Sequence, residues 1–146
     1  MSHPGSAPGP LVAAAARALV GTPFRLHGRD PAHGLDCVGL VHCALDGAGI
    51  ATVPPGGYRL RNLAIDALLA TAPRSGLREA EGPLAPGDVL LIGVGPAQHH
   101  LCVALGHDRF VHAHAGLRLV VEHRGVLPGP VLRHWRPHLH PKPEGN

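Results

Sequence analysis

The chain has 146 residues, a formal charge of +3 with its 13 histidines neutral, 45 % apolar residues and only 3 % aromatic ones. That length suits one domain, able to bury a core of Leu, Val, Ala and Ile without metals or cross-links. Charged residues at 16 % exclude a disordered polyampholyte, and a small positive charge scattered over 12 Arg and Lys142 gives no nucleic-acid footprint.

Met1 to Pro10, with three prolines and two glycines, reads as a flexible arm. The Ala-rich stretch Leu11 to Val20 predicts a helix, which Gly21-Thr22-Pro23 ends. Phe24 to Leu35 reads as a loop rich in Gly, Arg and His. Asp36 is a good N-cap for a second helix, in which Cys37, Leu40, Val41, Ala44, Leu45 and Ala48 share one apolar face; Gly47 and Gly49 end it. Pro54 to Gly57 is turn-rich, and Asn62 to Thr71 predicts a third helix closed by Pro73. After Pro86-Gly87 the texture changes to short strands: Asp88 to Val94, His100 to Gly106, Arg109 to His112, Leu117 to Glu122 and a last one at Val131 to Trp135. Gly106 to Asp108 and Ala115-Gly116 are turns between them. Helices before strands imply an α+β fold, with N-terminal helices packed on a small antiparallel sheet. The domain is expected to span residues 11–136, between an arm (1–10) and a tail (137–146). No apolar run approaches 18 residues, so no membrane-inserted helix is expected. Met1 to Pro10 lacks a charged n-region and Arg17 interrupts the apolar stretch after it, so no signal peptide is expected either.

Cys37 directly follows the N-cap, where unpaired N–H groups and the helix dipole favour a thiolate and could hold an oxyanion. A buried structural cysteine is the alternative. A nucleophilic cysteine needs a base from elsewhere in the chain. His100 and His112, on neighbouring strands either side of a tight turn, can bring two imidazoles together: one as base, the other fixing its tautomer. His99 faces the other way by strand alternation. Cys43 and Cys102 read as structural, and three cysteines without a C-x-x-C pair do not suggest a disulfide scaffold. Zinc held by His100, Cys102, His112 and His114 is the metal alternative, but tight ligand spacing is missing. The expectation is no metal and no cofactor. The other histidines (His27, His33, His42, His107, His123, His134, His138 and His140) read as surface residues.

Gly21-Thr22-Pro23-Phe24-Arg25 followed by Gly34-Leu35-Asp36-Cys37-Val38-Gly39-Leu40-Val41, then Pro86-Gly87-Asp88-Val89-Leu90, His100 to Gly106 and Phe110-Val111-His112-Ala113, resembles the motif series of the NlpC/P60 cysteine peptidases, in the family's order. The resemblance implies a papain-like α+β fold, Cys37 as nucleophile, His100 as general base and His112 as its orienting partner. It implies the peptidoglycan stem peptide as substrate, cut next to γ-D-glutamyl through a thioester. The D-C-V-G-L form, the His- and Arg-rich loop before it and the strand carrying His134-Trp135-Arg136 resemble the subtype carried on the tails of phages and gene transfer agents. Such a protein would be made in the cytoplasm, join tail-tip or baseplate proteins and act on the cell wall in the periplasm. Family members that require a free stem-peptide amine bind it through a Tyr, the Asp and a Ser; here these positions hold Phe24, Asp36 and Val38. Tolerance of stems still attached to glycan is therefore expected. The competing expectations are a structural tail-tip component with a vestigial site, and an amidase or acyl transferase on the same fold.

Overall fold

In a computed structural model of the chain, residues 8–52, 71–95 and 98–138 are described. The elements run α1 (Gly9–Ala18), β1 (Arg29–Asp30), β2 (Gly34–Leu35), α2 (Cys37–Gly47), a 3-10 turn (Pro73–Ser75), β3 (Leu77–Glu79), β4 (Val89–Gly95), β5 (Gln98–Ala104), β6 (Arg109–His114), β7 (Leu119–Arg124) and β8 (Val131–Pro137). The turn-rich stretch at Pro54 to Gly57 and the third helix expected at Asn62 to Thr71 lie, Thr71 excepted, outside the described residues.

α1 begins two residues before the expected start, because a proline in the first turn sacrifices no helical hydrogen bond. The end of the arm is therefore seated, not loose: Pro8 and Gly9 are buried. Gly9 lies so close to Gly87 that a Cβ on Gly87, whose φ is +90°, would stand 2.1 Å from the Gly9 carbonyl oxygen. Two further elements escape sequence patterning. The loop after Phe24 contains the small β1–β2 ladder, and β3 pairs with β8 at the far end of the chain.

The six-stranded sheet has the order β3-β8-β4-β5-β6-β7, with every pair antiparallel. Alternation along its strands gives two buried faces. Val89, Leu91, Leu101, Val103, Val111 and Ala113 join Val12, Ala16, Leu40, Val41, Ala44 and Leu45 of the helices in the main core. Leu90, Ile92, Cys102, Ala104 and Phe110 form a second cluster on the other face, against Leu84 and Leu127. This helix-on-antiparallel-sheet arrangement is the expected α+β architecture.

Residues 21–25 link the sheet to the start of α2. Gly21 and Phe24 donate to Val120 and Arg118 at 2.8 and 2.9 Å, and Val120 donates back to Thr22, covering the edge of β7. The same segment bonds Leu35: Leu35 N–H reaches the Pro23 carbonyl at 2.9 Å, and Arg25 N–H reaches the Leu35 carbonyl at 3.1 Å. The next two residues are Asp36 and Cys37. The extended segment thus fixes where α2 starts relative to the sheet.

Candidate active site

Cys37 opens α2, and Asp36 caps it as the sequence predicts, its Oδ1 accepting from Gly39 N–H at 2.8 Å. The Asp36 carboxylate is only 1 % exposed. It also accepts from His27 N–H at 2.8 Å and from the Arg29 guanidinium at 3.1 Å. The loop holding His27 and Arg29 can close on α2 because residue 39 has no side chain. A Cβ on Gly39 would lie 1.9 Å from the Gly28 carbonyl oxygen. Gly39→Ala should therefore push the loop off α2 and destabilise the fold by about 3 kcal/mol. Chemical denaturation checks this; a loss below about 1 kcal/mol would mean that the loop yields without cost.

On the sheet, His100 Nε2 and His112 Nδ1 lie 2.9 Å apart, with the rings nearly perpendicular. The paired register of β5 and β6 covers only Val103–Val111 and Ala104–Phe110. Beyond it the two imidazoles meet diagonally on one strand face. Cys102, Ile92, His123, Leu127 and Pro128 complete the tight recess around them. Burial first, then the neighbouring imidazoles of His112 and His114, push His100 down to about 4. His112 is likewise pushed to about 4 by burial, His114 and His123. At neutral pH the pair is uncharged, so the proton between them sits on His100 Nε2 or on His112 Nδ1. The first arrangement leaves His100 Nδ1 as an open base.

The backbone N–H of Leu101 on β5, the residue after His100, points to the sulfur of Cys37. Among the described residues no hydrogen bond joins it to either imidazole. Burial pushes its thiol up to about 12; the backbone N–H of Leu101 pulls the other way, the Asp36 carboxylate adds to the rise, and the N–H groups of Val38 and Cys37 oppose it. This runs against the sequence expectation of a resting thiolate: the helix N-terminus favours the anion, but desolvation of the half-buried Cys37 opposes it more strongly.

Of the other residues singled out by sequence, Val38 is buried in the main core and Phe24 is half-buried against it. Cys102 is buried, and the half-buried Cys43 donates to the Arg29 carbonyl at 3.3 Å. Among the described residues no three His, Cys, Asp or Glu side chains gather as metal ligands, so the zinc alternative finds no ligand set there. His134, expected on the surface, instead bonds the buried carboxylate of Asp88 at 2.6 Å. His123, expected there too, is half-buried beside His112, its ring centroid 6.0 Å away.

Residues 21–126 match the family model described as the NlpC/P60 family. The chain belongs to the NlpC/P60 family. Solved structures agree on the fold. NlpC2 from Trichomonas vaginalis superposes with a TM-score of 0.68 at 20 % identity, over 95 % of this chain and 49 % of that one. The NlpC/P60 domain of the peptidoglycan hydrolase SagA gives 0.53 at 25 % identity, over 80 % and 88 %. The peptidoglycan hydrolase RipB from Mycobacterium tuberculosis gives 0.60 at 20 %, over 88 % and 63 %. The chain spans about half the length of the two Trichomonas proteins that it matches. A search of curated protein sequences finds no match. The NlpC/P60 chain thus has the family's papain-like α+β fold, and its family is one of cysteine-peptidase-type hydrolases.

Proposed function

We propose that this NlpC/P60 chain is a peptidoglycan endopeptidase that cuts the stem peptide next to γ-D-glutamyl with Cys37 as nucleophile. The observation that carries the reading is the pairing of two uncharged imidazoles on β5 and β6, together with a cysteine at a capped helix N-terminus whose sulfur meets the backbone of Leu101, the residue after His100. His100 Nδ1 takes the Cys37 proton as sulfur attacks the scissile carbonyl. His112 Nδ1 accepts the Nε2–H of His100 and stabilises the imidazolium. The N–H of Cys37, in the first turn of α2 and without an intrahelical partner, faces the developing oxyanion. His100 then protonates the leaving amine, and water hydrolyses the thioester. The SagA domain, at 25 % identity over most of both chains and named as part of a peptidoglycan hydrolase, supports the substrate class.

Asp36 supports a finer point. Its carboxylate already accepts from three groups of its own chain, and Phe24 and Val38 offer no hydroxyl. A substrate ammonium gains little here, so stems still joined to glycan are accepted. The protein should leave stems ending in γ-D-glutamyl on intact sacculi, seen as muropeptides once the glycan is digested with a muramidase, and Cys37→Ala should leave none. N-acetylated and free stem tripeptides should be cut within about threefold of each other. A preference above about 100-fold for the free amine would restore amine recognition; a different released terminus would move the scissile bond.

Delivery on a phage-like or gene-transfer-agent tail is the setting that we propose, with tail-tip or baseplate proteins as partners and the wall in the periplasm as target. The Asp36-Cys37-Val38-Gly39-Leu40 form and the Trp135 strand support it. The protein should co-sediment with tail particles; its recovery only as a free monomer would count against this.

A further inference from the structure

The connection from β7 to β8, residues 125–130, crosses the sheet. β7 is an edge strand, and β8 lies beyond β6, β5 and β4. The connection is pinned at both ends. Gly125 N–H donates to the Asp108 carbonyl at 2.9 Å, at the turn between β5 and β6. At the other end Gly93 N–H donates to the Pro130 carbonyl at 3.0 Å. Gly129 lies so close to β4 there that a Cβ on it would stand 1.6 Å from the Gly93 carbonyl oxygen. Between these ends Leu127 and Pro128 close the recess that holds His100, Cys102 and His112, leaving no room for a water molecule. One side chain ties the connection to the sheet. His123 stands opposite Phe110 on β6, and alternation puts both on the face of His112. Its ring is nearly perpendicular to that of His112, with centroids 6.0 Å apart. Its Nε2 lies 2.7 Å from the Val126 carbonyl oxygen. A carbonyl only accepts, so Nε2 carries the proton. The Val126 side chain is 91 % exposed, so its own packing does not hold it down.

We propose that His123 is a positioning residue for the reaction: its bond to the Val126 carbonyl holds Leu127 and Pro128 over the His100–His112 pair, so that no water competes with His112 for the Nε2–H of His100. The inference rests on His100 and His112 being the base and its partner in the proposed function, and it is independent of the substrate. Burial is the largest cause that pushes both imidazoles down to about 4, and water in the recess would remove it. The titratable groups that act on the pair are His114 on β6 and His123 on β7. Cys102 on β5 lies in the recess, and Cys37 of α2 meets the backbone of Leu101. β4 and the connection contribute only Ile92, Leu127 and Pro128, and no carboxylate lines the recess among the described residues. His123 could thus act in two ways, as an anchor or as a neighbouring imidazole that disfavours charge on His112. The anchor needs only an N–H at the place of Nε2; the second effect needs the imidazole itself.

The test is an NMR titration of the imidazoles in protein labelled with ¹⁵N-histidine, with His100 and His112 assigned through His100→Gln and His112→Gln. It compares the unaltered protein with His123→Ala, His123→Gln and Leu127→Ala. In the unaltered protein both imidazoles should stay neutral down to about pH 4. In His123→Ala they should gain their protons at least about one pH unit higher, as solvated groups do. His123→Gln keeps a donor for the Val126 carbonyl and should stay within about half a unit of the unaltered protein. Leu127→Ala keeps every imidazole but opens the cover, so it should move the titration upward as His123→Ala does. It also decides the matter if His123→Ala does not fold. An unchanged titration in Leu127→Ala, or a His123→Gln that moves as far as His123→Ala, would overturn the inference. The acid limb of kcat/KM should move with the titration. The titration itself needs no substrate: if it moves as stated in protein that cuts no stem peptide, the substrate reading fails and the inference stands.

Discussion

Cys37→Ala should lower stem-peptide hydrolysis by at least about 10⁴-fold, and His100→Ala by about as much. The members of such a unit act together, so the double variant should cost little more than either single one. His112→Ala should cost less, about 10²-fold, because water can accept the Nε2–H of His100 in its place. His112→Gln, which keeps an acceptor, should recover part of that loss. The pH profile is the sharper readout. His100 is pushed down to about 4 and Cys37 up to about 12, so the resting pair is neutral and not an ion pair. The working base is unprotonated above about pH 4, so kcat/KM should fall only as the pH drops through that value. No alkaline limb should appear up to pH 9. An acid limb at pH 6 to 7 would show that His100 is solvated in the working enzyme. Equal losses in the three alanine variants would make His112 a full partner in proton transfer and not an orienter.

The site was legible in the sequence where short-range rules decide it. Asp36 before Cys37, followed by an apolar face at helical spacing, specifies a capped helix whatever surrounds it. His100 and His112 flank a turn at residues 106–108, so their meeting follows from strand geometry. The charge state of the cysteine was not legible, because desolvation depends on what packs over the sulfur: the β5 backbone, more than 60 residues further along the chain. The bond from Arg29 to Asp36 was hidden for a related reason. Arg29 lies in a Gly- and His-rich loop whose two-residue strands have no periodicity to read, and only the closure of that loop over Gly39 brings it to Asp36. β3 was missed because three residues, Leu77 to Glu79, become a strand only by pairing with β8. His134 looked like one surface histidine among many; its partner lies 46 residues away.

That partner carries an expected stability effect as large as that of Gly39→Ala. Asp88 is fully buried at the start of β4. It accepts from Arg136 at 2.9 Å with each oxygen, from Ala85 N–H at 2.9 Å and from His134 at 2.6 Å. It thereby ties β4 to β8 and to the turn before it. Burial alone would raise its pKa; Arg136, the Ala85 N–H and His134 outweigh that and hold it below the usual carboxylate value. Asp88→Asn keeps the shape but removes the charge, leaving Arg136 and His134 facing a neutral amide. The expected loss is about 3 kcal/mol, or roughly 10 °C in Tm. A change below about 1 kcal/mol would mean that the network only replaces hydration. The sign of the pH dependence follows from the depressed value: the stabilisation is complete above the unfolded carboxylate pKa, near 4, and is lost as the pH falls through the lower folded value. In Asp88→Asn that acid-dependent part disappears, so its stability should vary less between pH 4 and 2 than that of the unaltered protein. This also separates two effects that share an acid range. Protonation of His100 stops turnover in a folded enzyme, whereas protonation of Asp88 loosens the fold. Activity lost at pH 4 should therefore return at once on neutralisation, with the acid limb at the same place in Asp88→Asn. A limb that moves with that substitution would tie the loss to unfolding and not to the imidazole.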